Sequence, residues 1–401
     1  MTSLFSSVEL APRDPILGLT EAFNSDSRPG KVNLGVGVYY NDQGRIPLLE
    51  CVRAAEQELT KSASARGYLP IEGPAAYGAQ VQRLLFGPDS EPIASGRCVT
   101  AEALGGTGAL KIGADLVRRL NPDATVMISN PSWENHQALF EAAGFKVRSY
   151  PYYNAATHGL DFAGMLAALE RAEAGTIVVL HACCHNPTGV DPDPAQWRQI
   201  VDCVRQRNLV PFVDIAYQGF GEGLEADAAA ARLVAAAGID ALVASSFSKS
   251  FSLYGERVGA LTLLTGSRDQ GARVLSQLKR VIRTNYSNPP THGGALVTAV
   301  LGNAALRAQW EGELAAMRER ILSMRERLVD GLARRAVGTD FSFVRRQRGM
   351  FSYSGLSAAQ VDRLREQHAV YAVSTGRICV AALNAGNIDA VCDAIAAVLK
   401  S

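Results

Sequence analysis

The sequence predicts an α/β protein built on a mainly parallel sheet, and three observations carry that expectation. Short apolar strands alternate with helix-period stretches from about residue 100 to 265, as in successive βαβ units. Several strands are apolar almost throughout, as strands covered on both faces should be. The 401 residues are 47% hydrophobic and 20% charged, so the chain can bury a large core without disulfide or metal staples.

The expected strands are ATVMIS (124–129), KVRSY (146–150), TIVVLH (176–181), LVPFVD (209–214), ALVASS (241–246) and RVGALTLL (257–264). Amphipathic stretches lie between them at Ala109–Leu120, Trp133–Ala143, Phe162–Ala174 and Pro194–Arg207. Residues 1–45 are rich in Pro, Gly and Asp. They show little helical period beyond Asp14–Phe23 and read as an arm that lies on something. Residues 303–336 carry a helical pattern without a breaker, long enough to bridge two domains. A helix at 358–367, strands near 370–373 and 377–382, and a helix at 387–400 complete a small α+β region.

Charge and cysteine usage narrow the function classes. Forty basic residues against 39 acidic ones give no basic field, which disfavours duplex nucleic acid as the main partner. No apolar run reaches the ~20 residues of a membrane span, and the N-terminus lacks a signal-peptide pattern. The seven cysteines are odd in number, scattered and without a CxxC, which reads as reduced thiols in a cytoplasmic protein. His181, Cys183, Cys184 and His185 resemble a metal cluster superficially. Adjacent cysteines on a strand point to opposite faces, so the expectation is a strand end and no metal site.

Ligands of a parallel sheet bind outside the carboxyl ends of its strands. Four segments there could carry chemistry. Leu104-Gly105-Gly106-Thr107-Gly108-Ala109 opens a helix, and its glycines and free N–H groups suit a phosphate, or else form only a tight turn. A dinucleotide fold fits poorly: the spacing is not GxGxxG, no clear strand precedes it, and Ser129-Asn130 stand where a ribose-binding acid belongs. Asn186-Pro187-Thr188-Gly189 suits a turn at the sheet's edge. Asp214 closes an apolar strand, where a carboxylate needs a cation or several donors unless it caps a helix. Lys249 follows a strand and lies among Ser245, Ser246 and Ser248, with Arg257 eight residues on. Of seven lysines it alone follows a buried strand; a desolvated lysine can become an amine nucleophile, while a solvated one is inert. Together the four supply what pyridoxal phosphate requires: a lysine for its aldehyde, an acid for its pyridine nitrogen, and a helix N-terminus with an arginine for its phosphate.

The pattern resembles the class I pyridoxal-phosphate aminotransferases, in the aspartate and aromatic amino acid subgroup. The resemblance runs over nearly the whole length. It rests on VNLGVGVYY (32–40), YLPIEG (68–73), LGGTGALKIGAD (104–115), NPSWENH (130–136), HACCHNPTG (181–189), DIAYQGF (214–220), SSFSKSFSLYGERVG (245–259), IRTNYSNPP (282–290), RGMFSYSGL (348–356) and STGRICVA (374–381). It implies a fold-type I transferase with a seven-stranded, mainly parallel sheet and a small α+β domain. The expected division is an N-terminal arm over 1–45, a large cofactor-binding domain over 46–310, and a small domain over 311–401 entered by the long helix.

The resemblance also implies roles. Lys249 would hold the cofactor as an aldimine and shuttle the substrate proton. Asp214 would pair with the pyridine nitrogen, Tyr217 and Asn186 with the 3′ oxygen, and Trp133 would stack on the ring. Gly106, Thr107, Ser246, Ser248 and Arg257 would hold the phosphate, with Tyr68 reaching in from a second subunit. Arg377 would grip the substrate α-carboxylate, and Gly37 would lie near the substrate. Arg283 would meet a distal carboxylate across a homodimer interface. Tyr40 and Ile46 stand where acid-preferring members carry lysine and threonine, which favours aromatic substrates. Asn288 and Thr107 match the aspartate enzymes, and Gly67 matches neither type. The expected activity is amino transfer between phenylalanine, tyrosine or aspartate and 2-oxoglutarate. The alternatives are a strict aspartate aminotransferase or a non-catalytic cofactor-binding regulator.

Overall fold

Seven strands make the central sheet of the computed structural model, which describes residues 3–11, 16–62, 65–336 and 338–400. They are β1 (Cys98–Leu104), β2 (Thr125–Asn130), β3 (Lys146–Pro151), β4 (Ile177–His181), β5 (Val210–Ile215), β6 (Ala241–Ser246) and β7 (Val258–Leu264). Their order is β1-β7-β6-β5-β4-β2-β3. The pairs from β6 to β3 are parallel, whereas β7 runs antiparallel to both β1 and β6.

The period of two along a strand sorts side chains onto two cores. Val178, Leu180, Val213 and Ile215 face one, and Ile177, Val179, Phe212 and Ala244 face the other. The apolar runs at 177–181 and 241–246 are buried at every position. The edge strand β3 is mostly exposed, which accounts for its polar sequence KVRSY.

Two sequence expectations change. A strand, β1, does precede the glycine turn, although CVTAEAL did not read as one. Thr100 and Glu102 interrupt its apolar run: Thr100 Oγ1 meets Gln82 and Thr262, whereas the Glu102 carboxyl is buried with Oε2 unpartnered. Cys183 and Cys184 do not alternate along a strand, because β4 ends at His181. Both are buried in the following loop, and Cys184 has a left-handed backbone, φ 52°.

The first helix spans Leu17–Ser25, while Asp14 and Pro15 of the expected Asp14–Phe23 helix lie outside the described residues. The long helix runs Ala304–Arg334, its N-terminus capped by Asn303. Its buried Trp310 donates to the Ser250 carbonyl at 2.7 Å and stacks on Phe251. Val32–Asn33 pairs with Val370–Tyr371, which joins an early segment to a late one, and Phe351–Tyr353 pairs with Arg377–Cys379.

Trp310 therefore anchors the long helix to the loop that follows Lys249. Trp310→Ala should destabilise the protein by ~3–5 kcal/mol, read as a lower unfolding temperature or denaturant midpoint. An unchanged transition would show that the helix is anchored elsewhere.

Candidate active site

The carboxyl ends of the parallel strands open into a cavity of about 360 Å³. Because β7 is antiparallel, its beginning, not its end, lies at this edge. Val258 sits opposite Leu104, and Gly259 opposite Ser246. This register brings Arg257 beside the glycine turn and the Ser246–Lys249 loop, so three distant segments share one corner.

The corner has the form of an anion cradle. The helix Gly105–Leu120 starts there with no side-chain cap on its first N–H groups. A Cβ on Gly105, which has φ +69°, would lie 2.5 Å from the Arg257 guanidinium. One on Gly106 would press on Ser246 at 3.2 Å, and one on Gly259 would collide with the Gly105 backbone at 2.4 Å. Only glycine leaves this room. Arg257 donates to Ser248 Oγ at 3.3 Å and to the Tyr254 carbonyl at 3.1 Å. Gly106, Thr107, Ser246, Ser248 and Arg257 all line the cavity, and the donor set fits a phosphate.

At another wall Asp214 closes β5, 6% exposed. A carboxylate only accepts, so His136 Nε2–H donates to Asp214 Oδ2 at 2.9 Å, which leaves His136 Nδ1 to Ser132 Oγ at 2.9 Å. Burial alone would raise this carboxyl. The His136 hydrogen bond and the surrounding charges, Lys249 among them, outweigh it and hold Asp214 below the usual carboxylate value. His181 packs 4.9 Å from the His136 ring, and neither of its ring nitrogens has a hydrogen-bond partner. Burial pushes its pKa far down, so it stays neutral. A buried anion at a strand end, open on the cavity side, fits the protonated nitrogen of a pyridine ring. His136, His181 and Asp214 could also approach a metal ion, but the hydrogen bond to His136 already uses one donor pair.

Lys249 Nζ lies 5.0 Å over the Tyr217 ring. Burial lowers its pKa to about 8; Asp214 opposes the shift and Arg257 adds to it. Tyr217 is buried, and its phenol is pushed well above its ordinary value, so it stays protonated. Arg377, 1% exposed, donates to Asn186 Oδ1 at 3.0 Å and to the Gly35 carbonyl at 2.7 Å. Its guanidinium stacks 4.5 Å over Phe351, and its Nε has no partner. A planar, partly unsatisfied guanidinium in a cavity suits a carboxylate. Gly37 lies against Phe351, 2.6 Å from where a Cβ would fall.

The structure thus brings together Lys249, Asp214, Tyr217, Gly106, Thr107, Trp133, Asn186, Ser246, Ser248, Arg257, Gly37 and Arg377 as lining of one cavity. Tyr68, 96% exposed, and Arg283, exposed near the end of the helix Arg268–Asn285, do not line it within one chain. Tyr40 also lies outside the lining; its N–H donates to the Ala381 carbonyl at 3.2 Å. Ile46 is 47% exposed. Sequence reasoning gave no role to His136, His181, Tyr254 or Phe351. His136 was within reach, since it lies three residues after Trp133 on a helical period. Tyr254 accepts from the Tyr39 N–H at 2.9 Å across 215 residues, a contact that no local pattern reports.

The lowered Lys249 pKa is directly testable. In protein stripped of any carbonyl ligand, acylation of Lys249 should be half-maximal near pH 8, because the reactive amine is the unprotonated form. A midpoint at the ordinary lysine value of about 10.4 would contradict the desolvated placement.

Comparison with known proteins agrees with this geometry. Residues 29–395 match the family model for aminotransferase class I and II. The chain is 64% identical to an aspartate aminotransferase of Pseudomonas aeruginosa, over 99% of this chain and 100% of that one. It is 49% identical to the aromatic-amino-acid aminotransferase of Escherichia coli K12, with the same coverage. Among solved structures, an aromatic-amino-acid aminotransferase from Burkholderia pseudomallei covalently bound to pyridoxal phosphate superposes with a TM-score of 0.97. It is 68% identical, covering 99% of this chain and 100% of that one. The chain belongs to the class I and II aminotransferase family.

Proposed function

We propose that the protein transfers the amino group of phenylalanine, tyrosine or aspartate to 2-oxoglutarate, with pyridoxal 5′-phosphate as cofactor. One observation carries the reading: a phosphate cradle, a buried anion, a lysine of lowered pKa and a buried arginine with an open N–H line the same cavity. When bound, pyridoxal phosphate supplies an aldehyde that condenses with amines and a ring that accepts electron density.

The chain's residues perform the rest. The Gly106–Thr107 turn, Ser246, Ser248 and Arg257 would hold the phosphate. Asp214, held anionic by His136, would pair with a protonated pyridine nitrogen. Asn186 and protonated Tyr217 offer donors to the 3′ oxygen, and Trp133 forms a wall. Arg377 binds the α-carboxylate and so orients the Cα–H bond. Lys249, whose pKa burial lowers, would take that proton and return it. Such general acid–base transfer contributes typically ~10²–10⁴-fold.

We further propose a homodimer with shared sites. Tyr68 and Arg283 are exposed and absent from their own chain's cavity, and Leu4, Phe5, Val8 and Leu10 of the arm are exposed apolar residues that need cover. The division at residues 1–45, 46–310 and 311–401 belongs to the same reading, supported by the long helix that crosses the last boundary. Among the described residues no helix is long and apolar enough to cross a membrane. Seven free, buried cysteines suit a cytoplasmic setting.

Co-expressed Lys249→Ala and Arg283→Ala chains should regain activity in the mixed dimer, since one of its sites has both residues intact. No recovery despite proven mixing would refute sharing.

The substrate range rests on the resemblance at Tyr40 and Ile46, neither of which lines the cavity of its own chain, and on Arg283, which would bind a distal carboxylate or stack on a ring across the interface. Relatives named for aspartate and for aromatic amino acids lie at similar identity. A panel of amino donors against 2-oxoglutarate should show turnover of both phenylalanine and aspartate, and Tyr40→Lys should raise the aspartate-to-phenylalanine ratio of kcat/KM. Complete failure on phenylalanine would establish a strict aspartate enzyme.

A further inference from the structure

Glu102 is the one residue of β1 that conflicts with its surroundings. It lies three residues before the glycine turn, is 2% exposed, and its Oε2 has no hydrogen-bond partner. Neither β1 nor the resemblance gives it a role. Its neighbours are two glycines from separate segments. A Cβ on Gly73, at φ +84°, would fall 2.6 Å from Glu102 Cβ and 2.8 Å from Oε2. One on Gly294 would fall 2.2 Å from Oε1. The carboxyl thus fills a slot that both segments leave open for it.

Those segments carry the two residues assigned to the shared site. Gly73 ends the turn that follows Tyr68, and the Glu102 N–H donates to the Glu72 carbonyl at 2.9 Å. Gly294 lies in the first turn of the helix Thr291–Gly302, just beyond Arg283 and Asn288. Tyr286 Oη donates to the Glu102 carbonyl at 3.2 Å, and Pro289 packs 3.5 Å from the Cβ position of Gly73. Glu72 also pairs with Lys279 on the helix that bears Arg283, at 2.5 Å. One side chain therefore touches the strand that leads to the phosphate cradle and both exposed segments.

We propose that Glu102 is a positioning residue for the transamination site: as a neutral carboxyl wedged between Gly73 and Gly294, it sets the spacing of the Tyr68 turn and the Arg283–Asn288 segment relative to the phosphate cradle. The inference rests on the proposed roles of Tyr68 and Arg283. A charged carboxylate in this slot would be buried without compensation. The ionisable groups that face it are Tyr77 from the helix Ala75–Phe86, Tyr286, and Glu72 paired with Lys279; His292 and Glu256 flank the helix start beyond. None of them supplies a cation to the carboxyl, and burial raises its pKa to about 8. At neutral pH the wedge is mostly neutral; above pH 8 it is an ion that the slot cannot solvate.

The sign of the stability effect follows. In the unfolded chain this carboxyl ionises near its ordinary value of 4.5, and in the folded chain near 8. Between those values the unfolded state holds fewer protons, so wild-type stability falls as pH rises and levels off above about 8. Glu102→Gln keeps the shape and cannot ionise.

The test compares purified wild-type and Glu102→Gln proteins across pH. The unfolding-temperature difference in favour of the Gln variant should widen from about pH 5 to pH 8 and then stay constant. Lys249 titrates in the same window in both proteins, so the reading is the ratio of the two: KM for aspartate in wild type over that in the Gln variant should rise roughly tenfold on passing pH 8, while the ratio of kcat changes less. A pH-independent temperature difference, with identical KM profiles, would overturn the proposal. Should the Gln variant not fold, the infrared carbonyl band of a protonated carboxyl, shifted by Glu102→Asp, must be present near neutral pH and vanish above 8; its absence near neutral pH would equally refute it. Arg283→Ala separates the two readings. If it leaves KM for aspartate unchanged while the Glu102 stability effect is seen, the shared-site assignment fails and the buried neutral wedge stands.

Discussion

A buried negative charge in the wall of the cavity is the constraint on which the other features depend. Asp214 sits at the end of a buried parallel strand, where a lone carboxylate would take up a proton. The His136 hydrogen bond prevents that, and Ser132 fixes the His136 ring in turn. Lys249 feels Asp214 as a counter-charge that limits how far burial can lower its pKa. A neutral His181 beside the pair adds no competing cation. The chain therefore places an anion, an amine and an anion cradle along one cavity, with a buried arginine that contacts Phe351 and Asn186.

The sheet topology makes this possible. Parallel strands would place only their carboxyl ends at the site. The reversal of β7 lets a chain that has just delivered Lys249 return with Arg257 at the same edge, eight residues later. The close approach of Gly105 and Gly259 between β1 and β7 then seats the guanidinium against the helix start. The long helix and the paired segments at 351–353 and 377–379 bring Arg377 from the far end of the sequence. Arg325 on that helix donates to the carbonyls of Gly349 at 2.7 Å and Phe351 at 2.5 Å, tying it to the loop beneath Arg377.

Much of this was legible from residue pattern. The apolar runs of β4, β5 and β6 identified the buried strands, and what followed each run marked Asn186, Asp214 and Lys249. The long helix was legible because nothing breaks its period. β1 was not, because Thr100, which bonds to Gln82 and Thr262, and the buried Glu102 disturb its apolar pattern. Arg377 was legible only through the resemblance at STGRICVA, with no periodicity or strand end to mark it; its place depends on strand pairing with 351–353 and on its hydrogen bond to Gly35. Tyr68 and Arg283 gain meaning only from the resemblance, since within one chain they face outward. The general lesson is that strand ends reveal the residues they deliver, whereas contacts across hundreds of residues need the fold.

The central claim is that Lys249 is the amine that carries the carbonyl cofactor opposite Asp214. Borohydride reduction of the pyridoxal-phosphate-loaded protein, followed by peptide mapping, tests it most directly. The account predicts a single labelled peptide containing Lys249. Label on Lys111 or Lys279 instead would contradict it.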